Sequence, residues 1–123
     1  MKQALLVFLG GGLGSVARYW LSLKLNNFEN AIPYGTFLAN VLGSLFIGLI
    51  FGYMSKTGFV NENHSLLLAT GFCGGFTTFS TFAYENHLYI KSGDYFSFLP
   101  YVAASFIVGI AAVFLGLHLS KII

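Results

Sequence analysis

Four long apolar runs, separated by short polar segments, constrain this chain more than any other feature of its sequence. Charged residues occur only toward the ends of the runs, which predict helices over about residues 3–25, 33–54, 65–89 and 96–121. A bilayer core about 30 Å thick needs roughly 20 apolar residues of helix, and each run reaches that length. We therefore expect an all-α membrane protein with four transmembrane helices that form a single domain over residues 1–123.

Charged residues are too few to cover a water-facing surface. Asp, Glu, Lys and Arg make up 8% of the chain, whereas soluble domains carry about 25%. The formal net charge of +2 supplies no basic face for nucleic acid. We therefore expect neither an enzyme nor a nucleic-acid binder, but a protein whose solvent is lipid. The single cysteine, Cys73, allows no internal disulfide and no thiolate metal site, so we expect a buried thiol.

The N-terminal apolar run follows Lys2, as the apolar segment of a signal peptide follows a positive charge. No small-x-small cleavage site follows, and the apolar run continues to Leu25, so we interpret it as a retained first helix. Short loops are expected at residues 26–32, 55–64 and about 90–94.

Lysine and arginine are divided evenly between the two sides of the membrane. With four spans, the N-terminus, the second loop and the C-terminus share one side. The two sets are Lys2, Lys56 and Lys121 on that side, and Arg18, Lys24 and Lys91 on the other. An excess on one side normally orients a membrane protein. Either another signal orients the chain, or it inserts both ways round and pairs as an antiparallel homodimer, which is the interpretation we favour.

Polar side chains at helical spacing define one face of the second and fourth runs. Two series repeat at every fourth residue: Thr36, Asn40 and Ser44, and then Tyr101, Ser105 and Gly109. Polar groups at membrane depth are costly and point to function. Asn40 alone fits a hydrogen bond between helices equally well, but the matching series favour a hydrated conduit.

Small residues at the same spacing are expected to let helices approach each other closely, because helices in lipid gain nothing from hydrophobic burial against each other. Gly10 and Gly14 form such a pair in the first run, and Arg18 continues their face.

The third run contains a segment that is a poor continuous helix, from Gly71 to Phe82. It holds paired glycines, which allow a left-handed residue, and four hydroxyl residues. A break at membrane depth frees backbone groups that protein, water or an ion must satisfy. Freed carbonyls at such a break can bind an alkali cation; a kinked packing helix is the alternative.

Phe79 and Phe82 fit a hydrophobic core, but they alternate with hydroxyl residues rather than with aliphatic ones. The edge of an aromatic ring is electropositive and attracts an anion without a formal charge.

These motifs resemble the Fluc fluoride channels of bacteria over essentially the whole chain. The matching segments are Gly10-Gly11-Gly12-Leu13-Gly14 with Arg18-Tyr19, Gly35-Thr36 with Asn40 and Gly43, and the specific block Gly74-Gly75-Phe76-Thr77-Thr78-Phe79-Ser80-Thr81-Phe82. The resemblance implies an antiparallel, dual-topology homodimer of four-helix subunits with a broken third helix in the bacterial cytoplasmic membrane. It also implies two fluoride pores at the interface, a central structural sodium ion, and passive fluoride export that gives fluoride tolerance.

The resemblance also implies a role for individual residues. The backbone carbonyls of Gly74 and Thr77 would hold the sodium ion. The fluoride pore would be lined by the two phenylalanines Phe79 and Phe82, the amide Asn40, the hydroxyl donors Ser80 and Thr81, and a polar wall of Thr36, Tyr101 and Ser105, with Arg18 near a vestibule. Some relatives carry a second hydroxyl one turn after Ser105, where this chain has Gly109, so the number of anion sites stays open.

Two other functions are compatible with four spans and balanced charges. A small multidrug or cation exchanger needs a buried carboxylate in the first helix, and residues 3–17 contain none. A non-transporting membrane assembly subunit would use the polar series only to join helices. Without an acidic ring or an ionisable residue in the middle of the spans, we expect passive anion movement.

Overall fold

The computed structural model describes residues 1–27, 32–58 and 61–123, and every regular element within these ranges is helical. Positions 28–31 of the first predicted loop and 59–60 of the second lie outside the described residues. The helices are α1 (Lys2–Leu25), α2 (Tyr34–Thr57), α3 (residues 62–76), α4 (Phe79–Ser92) and α5 (Tyr95–Ile122). Most of α3 is a π-helix, Ser65–Cys73.

The four predicted spans are confirmed, with shifted ends. Helices α1, α2 and α5 are each long and apolar enough to cross a membrane, and α3 and α4 together form the third span, Glu62–Ser92. The second span runs to Thr57, three residues past the predicted end, and stops at Gly58, whose φ of 64° favours glycine. The fourth begins behind Asp94, whose side chain accepts a hydrogen bond from the Ser97 N–H at 3.1 Å.

The spans pair through glycines, as the sequence predicts. A Cβ atom at Gly10 or Gly14 of α1 would overlap backbone atoms of α3. A Cβ atom at Gly48 would likewise overlap the Val113 carbonyl of α5, and Gly116 of α5 approaches the backbone of α2. Because residue numbers rise together along both contacts, α1 is parallel to α3 and α2 is parallel to α5. Close backbone approach of this kind is how helices associate in lipid.

The outer surface is apolar, and the buried core is small. Large side chains on the outside include Phe8, Leu13 and Phe114, each more than 60% exposed. Cys73 is 1% exposed, which confirms the predicted buried thiol. The exposed apolar side chains require lipid or another protein chain around the helices.

Candidate functional site

The third span is broken at two extended residues between α3 and α4. Thr77 has φ −83° and ψ 156°, and Thr78 has φ −150° and ψ 116°. The predicted broken third helix is therefore confirmed. The break does not use the left-handed conformation that paired glycines allow, because Gly74 is helical with φ −62°, and positive φ values among the described residues occur only at Gly58 and Gly93.

Gly75 serves close approach rather than backbone freedom. A Cβ atom there would overlap the Gly11 carbonyl oxygen and lie 2.9 Å from the Gly11 Cα, so any larger residue would push α3 away from α1. Gly74 is exposed, and a Cβ atom built on it would meet no heavy atom of the chain within 4 Å.

Asn40 of α2 satisfies the backbone of the break. Its Oδ1 accepts a hydrogen bond from the Thr78 N–H at 2.8 Å, and its Nδ2 donates to the Thr78 carbonyl at 3.2 Å. One side chain thus replaces both helical partners that Thr78 lacks, which is the requirement for irregular backbone at membrane depth.

The carbonyl groups of Gly74 and Thr77 lose their helical donors at this break. In a continuous helix the Thr78 N–H would bond to the Gly74 carbonyl, but it bonds to Asn40 instead. The Thr81 N–H, which would bond to the Thr77 carbonyl, bonds to the Thr78 Oγ1 at 3.2 Å. Two backbone oxygens are therefore free to accept a cation or a donor.

Arg18 and Ser15 of α1 donate hydrogen bonds to the backbone just before the break. The Arg18 Nε donates to the Gly75 carbonyl at 3.1 Å, and the Ser15 hydroxyl donates to the same oxygen at 3.4 Å. This contact places Arg18 beside the break rather than at the helix end, while its suggested part in a vestibule stays a prediction.

A cavity of about 390 Å³ lies between α2, α5 and the break. It is lined by Asn40, Gly43, Ser44, Ile47, Thr77, Thr78, Phe79, Ser105, Phe106, Gly109, Ile110 and Val113. The structure therefore brings together three of the predicted pore residues, Asn40, Phe79 and Ser105. The Ser105 hydroxyl is buried and has no hydrogen-bond partner among the described residues, so it can donate a hydrogen bond to an ion or ligand bound in the cavity.

The two predicted pore phenylalanines have different surroundings. Phe79 is 74% exposed and lines the cavity, whereas Phe82 is 8% exposed. The Phe82 ring centroid lies 5.9 Å from that of Phe79, 5.2 Å from that of Tyr101, and 6.1 Å from that of Phe106 in an edge-on arrangement. Phe82 therefore packs behind the cavity wall, and Phe79 faces outward from it.

The hydroxyl groups at the start of α4 form a local cluster. Thr78 is the N-cap, and its Oγ1 donates to the Thr81 Oγ1 at 3.1 Å and lies 3.4 Å from the Ser80 Oγ. Ser80 and Thr81 are not among the residues that line the cavity, and these contacts hold the start of α4 together; the predicted role of the two hydroxyl groups beside the phenylalanines stays a prediction.

Thr36 and Tyr101 do not line the cavity. Of the predicted polar wall of Thr36, Tyr101 and Ser105, only Ser105 therefore reaches it. Thr36 is 1% exposed and Tyr101 2%. The Thr36 hydroxyl donates to Glu85 Oε2 at 3.0 Å, and the Tyr101 hydroxyl donates to Glu85 Oε1 at 3.1 Å. A carboxylate accepts such bonds strongly, which explains why both side chains turn toward α4.

Comparison with known proteins supplies the family. A family model described as CrcB-like protein, Camphor Resistance (CrcB), matches residues 5–117. The chain belongs to the CrcB family. Proteins named fluoride-specific ion channel FluC from Gloeothece citriformis, Phocaeicola vulgatus and Leptospira interrogans are 51%, 44% and 42% identical to it. Each alignment covers 98% of this chain and 98%, 100% and 95% of those relatives. The resemblance to Fluc channels is thereby confirmed.

Sequence reasoning missed part of this CrcB family site. The sequence predicts no role for Glu85, yet its carboxylate accepts hydrogen bonds from two predicted site residues, Thr36 and Tyr101. Asn26 follows the end of α1, within the predicted first loop, and the sequence does not predict that its Nδ2 donates to the Thr36 hydroxyl at 3.2 Å. A lone carboxylate inside an apolar run is the sequence signal for the role of Glu85, whereas nothing in the local sequence of Asn26 indicates its contact with Thr36.

Proposed function

We propose that this CrcB family chain forms a fluoride-selective channel in the bacterial cytoplasmic membrane. The observation that carries the proposal is similarity over 98% of the chain to proteins named fluoride-specific ion channels, at up to 51% identity. Movement through the channel is passive. Because the interior of a cell is electrically negative, a fluoride gradient and the membrane potential both favour export, which gives fluoride tolerance.

The chemistry of the cavity supports an anion as its occupant. Fluoride is small and strongly hydrated, so a pore must replace its water with hydrogen-bond donors. The cavity lining offers the Asn40 amide and the hydroxyl groups of Ser44 and Ser105. The hydroxyl groups of Thr77 and Thr78 also line the cavity, but they donate to the Cys73 carbonyl and to the Thr81 Oγ1. No carboxylate lies among these lining residues, so the cavity lacks the acidic groups that line cation pores.

A second, antiparallel copy of the chain would complete the pore. Phe79 and Gly74 are exposed in a single copy, although both belong to the segment that carries the break. The even division of Lys and Arg supports insertion in both orientations. We therefore infer a dual-topology homodimer in which two pores form at the interface.

A structural sodium ion at the centre of that dimer fits the break. The carbonyl oxygens of Gly74 and Thr77, which lack their helical donors, would hold it in each subunit. Backbone carbonyls are typical ligands for alkali cations, and a bound cation neutralises carbonyl dipoles that lipid cannot satisfy.

The sodium proposal is tested by purifying the protein in sodium-free buffer with a large organic cation in place of sodium. We expect the dimer to dissociate and fluoride transport to fall together, with recovery on adding sodium. A stable and fully active dimer after exhaustive sodium removal would contradict the structural ion.

The function is tested with purified protein in liposomes loaded with potassium fluoride or potassium chloride. After addition of a potassium ionophore, we expect rapid fluoride release, measured with a fluoride electrode, and chloride release no faster than from empty liposomes. A cation exchanger would instead need a proton gradient, and an assembly subunit would release neither anion. Either result would refute the proposed channel.

A further inference from the structure

Two walls of the cavity are formed by α2 and α5, and successive turns of the two helices lie opposite each other. Ser44 of α2 faces Gly109 of α5: its Oγ lies 3.9 Å from the position of a Cβ atom at Gly109. One turn further along both helices, Gly48 faces the Val113 carbonyl. Because α2 and α5 are parallel, one turn in the other direction places Asn40 level with Ser105.

On the α5 side of the cavity, no hydroxyl group lies at the level of Ser44. Gly109 contributes no side chain, and beyond it the lining is apolar, with Ile47 and Val113. Ser44 is therefore the last hydroxyl donor toward this end of the cavity. An anion that leaves Asn40 and Ser105 would meet only hydrocarbon one turn, about 5.4 Å, further along if Ser44 did not donate.

The Ser44 hydroxyl is free to make such a bond. Serine and threonine in helices often bond to the carbonyl four residues back. Thr57 of the same helix does so, donating to the Tyr53 carbonyl at 3.0 Å. Ser44 lines the cavity, and within the described residues its hydroxyl makes no hydrogen bond.

We propose that Ser44 and Gly109 form a second anion subsite, one turn from the level of Asn40 and Ser105. The Ser44 hydroxyl donates a hydrogen bond to a small anion, and the missing side chain of Gly109 leaves the room that the anion needs. The inference rests on the proposed fluoride channel, because it assumes that an anion passes through this cavity.

The test moves the hydroxyl group from one wall to the other. Ser44→Ala removes the donor, and we expect fluoride release from liposomes to slow about tenfold, the size expected for one hydrogen bond to a charged group. Ser44→Ala combined with Gly109→Ser restores a hydroxyl across the cavity, and we expect it to recover most of the rate. Thr57→Ala is the matched control, because that hydroxyl already bonds to its own helix, and it should transport normally.

A pair of isosteric variants keeps the proposal testable if the double variant does not fold. Ser44→Thr retains the hydroxyl and Ser44→Val replaces it with a methyl group of equal shape, so the first should transport much faster than the second. Dimer formation is checked by size-exclusion chromatography. A normal rate in Ser44→Ala, or equal rates in the threonine and valine variants, would overturn the subsite while leaving the channel intact. Absence of fluoride release from the wild-type protein would overturn the proposed channel itself, and the subsite with it.

Discussion

Replacing Asn40 with alanine should disrupt the break in the third span. The Asn40 side chain makes two hydrogen bonds to Thr78, at 2.8 Å to its N–H and 3.2 Å to its carbonyl. Within the described residues Thr78 has no other partner for either backbone group. Asn40→Ala therefore leaves one donor and one acceptor unsatisfied where lipid surrounds the helices.

The magnitude follows from those two groups. A buried polar group left without a partner costs about 1–3 kcal/mol. Two such groups give a loss of roughly 2–6 kcal/mol in the free energy of unfolding. The same change removes an amide donor from the cavity, so we expect fluoride release from liposomes to fall at least tenfold, beyond any loss of folded protein.

Asn86→Ala is a matched control in the same span. Asn86 is 6% exposed, and its Nδ2 donates to the Phe82 carbonyl at 2.8 Å, four residues back in α4. That carbonyl lies within a regular helix and keeps its backbone donor, and the buried Asn86 Oδ1 has no hydrogen-bond partner among the described residues, so at most about 1 kcal/mol should be lost. Both variants remove the same side-chain atoms, which cancels the effect of the lost volume.

The measurement is denaturant unfolding in detergent, followed by the fluorescence of Trp20, together with fluoride release by the same preparations. The reasoning requires Asn40→Ala to be clearly less stable than Asn86→Ala. Equal stabilities would refute it, because the two bonds to Thr78 would then contribute nothing specific. Reduced stability with normal transport per folded dimer would refute the part played by the amide in the cavity.

Three further results are expected. Phe79→Ile keeps apolar bulk but removes the ring edge, so folded dimers should release fluoride much more slowly; normal release would assign Phe79 to packing alone. Gly75→Val should destabilise the protein by several kcal/mol, because its side chain would overlap the Gly11 backbone, and a midpoint of unfolding equal to that of wild type would be inconsistent with this contact. C-terminal reporters should label both sides of the membrane, and two lysines added after Lys121 should lock one orientation and abolish transport unless an oppositely biased copy is present; labelling of a single side in the unmodified protein would exclude the antiparallel dimer.

The sequence alone predicts the spans and much of their packing. Length and hydrophobicity decide where a helix can cross a bilayer, and both are properties of consecutive residues. Small residues at every fourth position predict close helix contacts by the same local periodicity, as at Gly10 and Gly14. The break is also predicted within its segment, because paired glycines and hydroxyl residues weaken a helix locally.

Only the tertiary structure decides where the break falls and which polar groups meet. The extended residues are Thr77 and Thr78 rather than the glycines, because Asn40 of another helix replaces the helical partners of Thr78. Thr36 belongs to the same series as Asn40, yet it turns to Glu85, an acceptor 49 residues away in the chain. A hydrogen bond between helices depends on the distance and direction of its partner. Sequence periodicity predicts the face on which a side chain lies but not what stands opposite it.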